Sequence, residues 1–159
     1  MSEYEVHALC YGRRNGTRGQ HFLGRPTELL ASIVVAAAGA GLLDRTVGAG
    51  PLRGDRLSEV DGDVEVRPGL SVHLVGGHTA GMQIVRVATA AGPVVVASDA
   101  GHFHENLDDD RPAPLLHSMP GVYGAFDRIR ELGGVVLPGH DPEVLARYPA
   151  VARDVVRVA

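Results

Sequence analysis

Three short apolar runs in this sequence of 159 residues each stop at a side chain able to bind a metal ion. Ser71 to Val75 is followed by Gly76-Gly77-His78-Thr79, Val94 to Ala97 by Ser98-Asp99-Ala100-Gly101, and Val135 to Leu137 by Pro138-Gly139-His140-Asp141. A side chain at the sharp end of a buried strand can face a cleft. Asp99, directly after a buried run, needs a partner, because an unpaired buried carboxylate is costly. Two imidazoles and one carboxylate are suitable ligands for zinc and related divalent ions. Each residue alone also fits a structural role, and Asp141 is better explained as a helix N-cap than as a ligand.

The elements that must position these residues are readable in outline. Tyr4 to Tyr11 predicts a strand in which Val6, Ala8 and Cys10 share one face. Gly12 to Gly19 is polar and glycine-rich, which predicts a loop. Thr27 is placed to cap a helix through the Ala-rich stretch Leu29 to Leu43, weakened by Gly39 and Gly41. Val47 to Gly54, with Pro51, predicts a loop. Beyond it, Val64 to Val66, Ser71 to Val75, Gln83 to Thr89 and Val94 to Ser98 are short β-rich runs separated by turn residues, which predicts a mostly antiparallel meander. Pro120 to Leu132 predicts a helix with Val122, Phe126 and Ile129 on one face, stopped by Gly133-Gly134. Val135 to Leu137 reads as a strand, and Glu143 to Tyr148 as a last helix behind Pro142. Strands, helix, strand and helix in that order predict an α/β (α+β layered) domain with helices packed on a sheet.

Composition narrows the function. Apolar residues make up 45% of the chain, enough for a core, and the net charge of −4 offers no footprint for nucleic acid. Asp108, Asp109 and Asp110 form the one notable charge run, read as a solvated loop. The uncharged run Leu29 to Leu43 is shorter than the roughly 20 residues of a membrane span, so no membrane association is expected. A single cysteine, Cys10, allows no disulfide within the chain, and residues 1–6 lack the basic start of a secretory signal. Both suit a cytoplasmic location.

Three motifs in series, LSVHLVGGHTAGMQIVRV, VVVASDAGHFHENLDDDRP and VVLPGHDPEVLARYP, resemble the C-terminal half of the metallo-β-lactamase-fold hydrolases, closest to the N-acyl homoserine lactonase branch. The opening YEVHALCYGRRNGTRGQHFLG also looks like the start of that branch. The resemblance implies one shortened αββα sandwich over 1–159: an N-terminal strand and loop (1–24), an atypical replaced segment (25–59) and a family-like C-terminal half (60–150). It implies a dinuclear metal site in which His78 binds one ion, Asp99 bridges both and His140 binds the other. It implies hydrolysis of a small lactone or ester. His102, three residues after Asp99, and His104 become candidates for substrate contact, with Asp99 and His102 the catalytic pair.

One departure is large. The family's main metal motif, His-x-His-x-Asp-His, is absent, and residues 29–50, where it should lie, contain neither His nor Cys. Three expected ligands remain and four are gone. The sequence therefore predicts at most one zinc or other divalent ion, with impaired hydrolysis; the alternative is a non-catalytic remnant or interaction module of the same fold. Because only one half of the sandwich is complete, an exposed apolar face and self-association are also expected.

Overall fold

A computed structural model describes residues 4–17, 29–39 and 60–159. Two sheets lie back to back. The first has the order β2-β1-β9-β8, built from β1 (Val6–Thr17), β2 (Leu29–Gly39), β8 (Ala150–Ala152) and β9 (Val155–Arg157), all antiparallel. The second has the order β3-β4-β5-β6-β7, built from β3 (Val64–Arg67), β4 (Leu70–Leu74), β5 (Gln83–Thr89), β6 (Gly92–Ser98) and β7 (Val135–Pro138). Its first four strands form the expected antiparallel meander, while β7 joins β6 in parallel. A parallel neighbour needs a long crossover. Here α1 (His104–Asp108) and α2 (Met119–Leu132) supply it, and α3 (Glu143–Arg147) follows β7.

The period-2 alternation of strand side chains assigns the two faces of the second sheet. Val95 and Ala97 of β6, with Ile84 of β5, pack on Val122, Ala125, Phe126 and Ile129 of α2. Val94 of β6, Val87 of β5, Leu70 of β4 and Leu137 of β7 face the first sheet, meeting Val6, Ala8 and Val156. Central β6 is buried on both faces, which is why its run reads as continuously apolar. The layered α/β fold expected from the sequence is the one found, with α2 presenting the expected face. Ser118 caps α2 by accepting the Gly121 N–H at 3.1 Å.

Two expectations fail. Leu29 to Leu43 is not a helix: Leu29–Gly39 is a strand, paired antiparallel with the whole of β1. Alanine favours a helix locally, but β-branched Ile33, Val34 and Val35 fit a strand, and a long ladder outweighs differences of at most about 1 kcal/mol per residue. Nor is Gly12 to Gly19 simply a loop. After a register shift between Cys10 and Gly12, β1 continues through Thr17. Thr27, residues 40–43 and Val47 to Gly54 lie outside the described residues. Strands β8 and β9 had no counterpart in the sequence reading. They are three residues each, too short to show a period. No helix among the described residues is long and apolar enough to cross a membrane.

A polar clamp fixes the far end of the α2 layer. Ser71 and His73 lie on the same face of β4, with Ser71 Oγ 2.9 Å from His73 Nε2. His73 Nδ1 lies 2.9 Å from Asp63 Oδ2, which also accepts Arg128 Nη2 of α2 at 2.6 Å. The order is that of a nucleophilic triad, but Asp63 is committed to Arg128 and to the Leu74 N–H at 3.1 Å, and the assembly ties helix to sheet. The hydrogen bond from His73 holds the Asp63 carboxyl below its ordinary value; slight burial opposes this, and Arg128 and Leu74 add to it.

Two outcomes follow for stability. Phe126 is 1% exposed, so Phe126→Ala should cost about 3–5 kcal/mol in denaturant unfolding. Because the folded Asp63 carboxyl titrates below the unfolded one, its contribution is complete above the ordinary carboxylate value of 3.8 and is lost as pH falls through the depressed folded value. Asp63→Asn should flatten the acid limb of the stability–pH curve, by a small amount because the site is half exposed. An unchanged acid limb would show that the clamp carries no stabilising charge.

Candidate metal centre

Strand direction brings the three strand ends together. β4, β6 and β7 all run the same way, since β4 is antiparallel to β5 and β5 to β6, while β6 and β7 are parallel. His78, Asp99 and His140 follow these strands, so all three emerge at one edge of the sheet.

Each turn is held by backbone. Gly77 has φ +86, and a Cβ there would stand 2.8 Å from the Val122 backbone nitrogen, so only glycine lets the His78 turn approach α2 this closely. The Gly77 carbonyl accepts the His117 and Ser118 N–H groups at 2.8 and 3.0 Å. Ser98, the last residue of β6, sits at φ 49, an uncommon conformation for a non-glycine residue that turns the chain sharply before Asp99. Its carbonyl accepts the Gly101 N–H at 3.2 Å and the Gly139 N–H at 3.1 Å, and the His140 N–H donates to the His102 carbonyl at 2.8 Å. The loops after β6 and β7 are thereby bound directly to each other.

The side chains converge on Asp99. Its Oδ1 lies 2.8 Å from His140 Nε2, and its Oδ2 lies 3.7 Å from His78 Nε2. The hydrogen bond from His140 holds the Asp99 carboxyl below the usual carboxylate range; burial opposes it, and the nearby imidazoles add to it. His78 Nδ1 lies 2.8 Å from the Leu115 carbonyl, which only an N–H can satisfy. With Nδ1 turned to Leu115, the His78 ring directs Nε2 at Asp99 Oδ2 across a gap too long for a hydrogen bond. An imidazole nitrogen and a carboxylate oxygen at that distance can share a cation between them, and a carbonyl fixing the far ring nitrogen is how metal-binding histidines are oriented. The donor set therefore fits a divalent ion. A cavity of about 10 Å³ touches His78, Asp99 and His102, room for about one water or ion.

His102 is buried and His104 half-buried. His102 is 6% exposed, with its ring edge-on to His140 at 4.8 Å between centroids. His104 opens α1, and its Nδ1 lies 2.5 Å from Asp141 Oδ2. Asp141 caps the last helix as its sequence position suggested, with Oδ1 accepting the Glu143 N–H at 2.9 Å. Burial works against its charge, yet hydrogen bonds from the His104 ring, the His104 N–H and the Glu143 N–H hold its carboxyl below the usual range. The link between His104 and Asp141, 37 residues apart, could not be read from the sequence, because neither local pattern implies the other. Asn106 is likewise buried and organises this loop, accepting the Phe103 N–H at 2.8 Å and donating to the Arg111 carbonyl at 2.7 Å. Gly77→Ala should push the His78 turn off α2, with a loss of stability above 1 kcal/mol, since the conformation and the contact both exclude a Cβ. A Gly77→Ala melting curve matching the parent would contradict the close approach.

No protein-family model matches the chain. An N-acyl homoserine lactonase from Bacillus sp. is 32% identical over 53% of this chain, and the match spans about a third (35%) of that relative's length. Among solved structures, a quorum-quenching N-acyl homoserine lactone lactonase superposes with a TM-score of 0.74 at 15% identity, covering 95% of this chain and 98% of that one. An N-acyl homoserine lactone hydrolase with N-hexanoyl-L-homoserine bound at its catalytic metal centre superposes with a TM-score of 0.70, also at 15% identity and with the same coverages. At such identities the superpositions establish the fold alone, and the sequence match adds a likeness over part of the chain. The chain shares the fold of these lactonases, the metallo-β-lactamase fold, and about half of its sequence is similar to part of an N-acyl homoserine lactonase.

Proposed function

We propose that this chain is a divalent-metal-dependent hydrolase acting on a lactone or related ester, with turnover reduced by the missing motif. The observation that supports this reading most is the gap between His78 Nε2 and Asp99 Oδ2, two ligand atoms set 3.7 Å apart with His140 beside them. Zinc or a similar ion held by His78, Asp99 and His140 would supply Lewis-acid polarisation of the ester carbonyl and a water activated near neutral pH. Leu115 O holds the Nδ1 side of His78 and leaves Nε2 as the ring nitrogen turned to the ion. Asp99 stays ionised beside His140, keeping negative charge where a cation is to be held. The Leu115 side chain, 70% exposed next to the His78 turn, offers an apolar surface for the rest of a substrate.

A second reading, a non-catalytic member of the fold, has specific support. Among the described residues the cavity touching the cluster is about 10 Å³, too small for a lactone, and residues 29–50 contain no His to stand in for those of the absent motif. Elemental analysis after dialysis separates the two. The hydrolase reading expects up to one divalent ion per chain, bound weakly, together with slow lactone hydrolysis that a chelator abolishes. His78→Ala and His140→Ala should each reduce the bound metal. Absence of metal, with no chelator-sensitive hydrolysis, would leave the non-catalytic reading; two tightly held ions would contradict both.

A further inference from the structure

We infer that His102 is itself a metal ligand, so that Asp99, His102 and His140, with His78 opposite, form one compact mononuclear centre within the C-terminal half. This rests on the metal-dependent reading of the site and assigns His102 to the ion in place of the substrate.

The placement follows from a tight turn. Ala100 N–H donates to the Ala97 carbonyl at 3.0 Å and Gly101 N–H to the Ser98 carbonyl at 3.2 Å, folding the chain back so that His102 returns beneath Asp99. The residue is nearly fully buried, and burying an imidazole is costly unless its nitrogens are used. Its neighbours are the candidate ligands. Its ring centroid is 4.8 Å from that of His140 and 5.9 Å from that of His78. One ligand atom each from Asp99, His102 and His140 all lie within 4.8 Å of one another. Around a tetrahedral zinc with bonds of about 2.0–2.2 Å, two ligand atoms stand roughly 3.3–3.6 Å apart, so side-chain movements of up to about 1 Å close the set.

Two further features agree. The small cavity touches His78, Asp99 and His102 together, so His102 faces the same small space as two of the other candidate ligands. The His140 N–H bond to the His102 carbonyl, at 2.8 Å, couples the two imidazoles through backbone, which limits the ordering cost when both bind. Three imidazoles and one carboxylate favour zinc or cobalt over calcium or magnesium, which prefer oxygen donors. A second group of ligand atoms, His104, Asp141 and Glu143, carries no such reading. The Asp141 oxygens there already accept three N–H donors, and Glu143 is paired with Arg147 at 2.6 Å.

The test uses the full chain stripped of metal and titrated with cobalt(II) and zinc in competition with a chromophoric chelator. The parent should bind one ion, with the intense visible absorption of a four-coordinate cobalt site. His102→Ala and His102→Gln should each bind more than about 100-fold more weakly, beyond the roughly 10–100-fold that loss of a merely orienting group costs, and should lose that absorption. His7→Ala, on β1 outside the cluster, should match the parent. If both His102 variants fail to fold, the nitrogen-15 resonances of the His102 ring in the parent decide: a large shift of one ring nitrogen on zinc addition supports ligation. Failure of the parent to bind any ion would overturn the metal-dependent reading and this inference with it. Parent binding, with both His102 variants unchanged in affinity and spectrum, or with the His102 nitrogens unshifted by zinc, would overturn this inference alone.

Discussion

The parallel pairing of β7 with β6 is the constraint on which the rest of the site depends. An antiparallel β7 would place His140 at the opposite edge, a strand length from Asp99. Parallel pairing requires a crossover, and α2 provides it by burying Val122, Phe126 and Ile129 on the face of the sheet formed by Ile84, Val95 and Ala97. The apolar packing of one helix therefore determines where two polar side chains meet. The same helix receives the His78 turn at its N-terminal end, through Gly77 against Val122. Core and candidate site share these contacts and are stabilised together.

Electrostatics add a second layer. Five polar side chains, His78, Asp99, His102, His104 and His140, crowd one edge, and most of their partners are backbone groups or one another. Asp99 keeps its charge through His140, and Asp141 keeps its own through His104 and two backbone N–H groups, against the cost of burial. Asp141 works as an anchor, joining the start of α1 to the start of α3 and bracing the loop that carries His140 from one side while the Ser98 carbonyl braces it from the other. Such bracing is what sets ligand atoms in place before an ion arrives.

Much of this was legible from residue types and spacing. The meander, the face of α2 and the three strand ends carry strong local patterns, with turn glycines, apolar runs and a cap. The β2 segment was misread because an alanine-rich run has helical propensity, whereas its conformation is set by pairing with β1, a contact no local pattern encodes. The same holds for β8 and β9, whose identity as strands comes from their partners. His102 could be singled out only by its offset from Asp99. Its burial results from a turn after β6 and from a carbonyl that meets the His140 loop, 38 positions on, and nothing within a short window announces that.

The central claim is that one sheet edge, without the missing motif, gathers its remaining ligands around a single cation. Anomalous diffraction at the zinc edge, from crystals of the zinc-loaded chain, tests it most directly. The account predicts one peak per chain, within bonding distance of the Asp99 carboxylate and of imidazoles from His140 and its neighbours. A zinc peak elsewhere on the chain, two peaks at the cluster, or no peak at full zinc loading would contradict it.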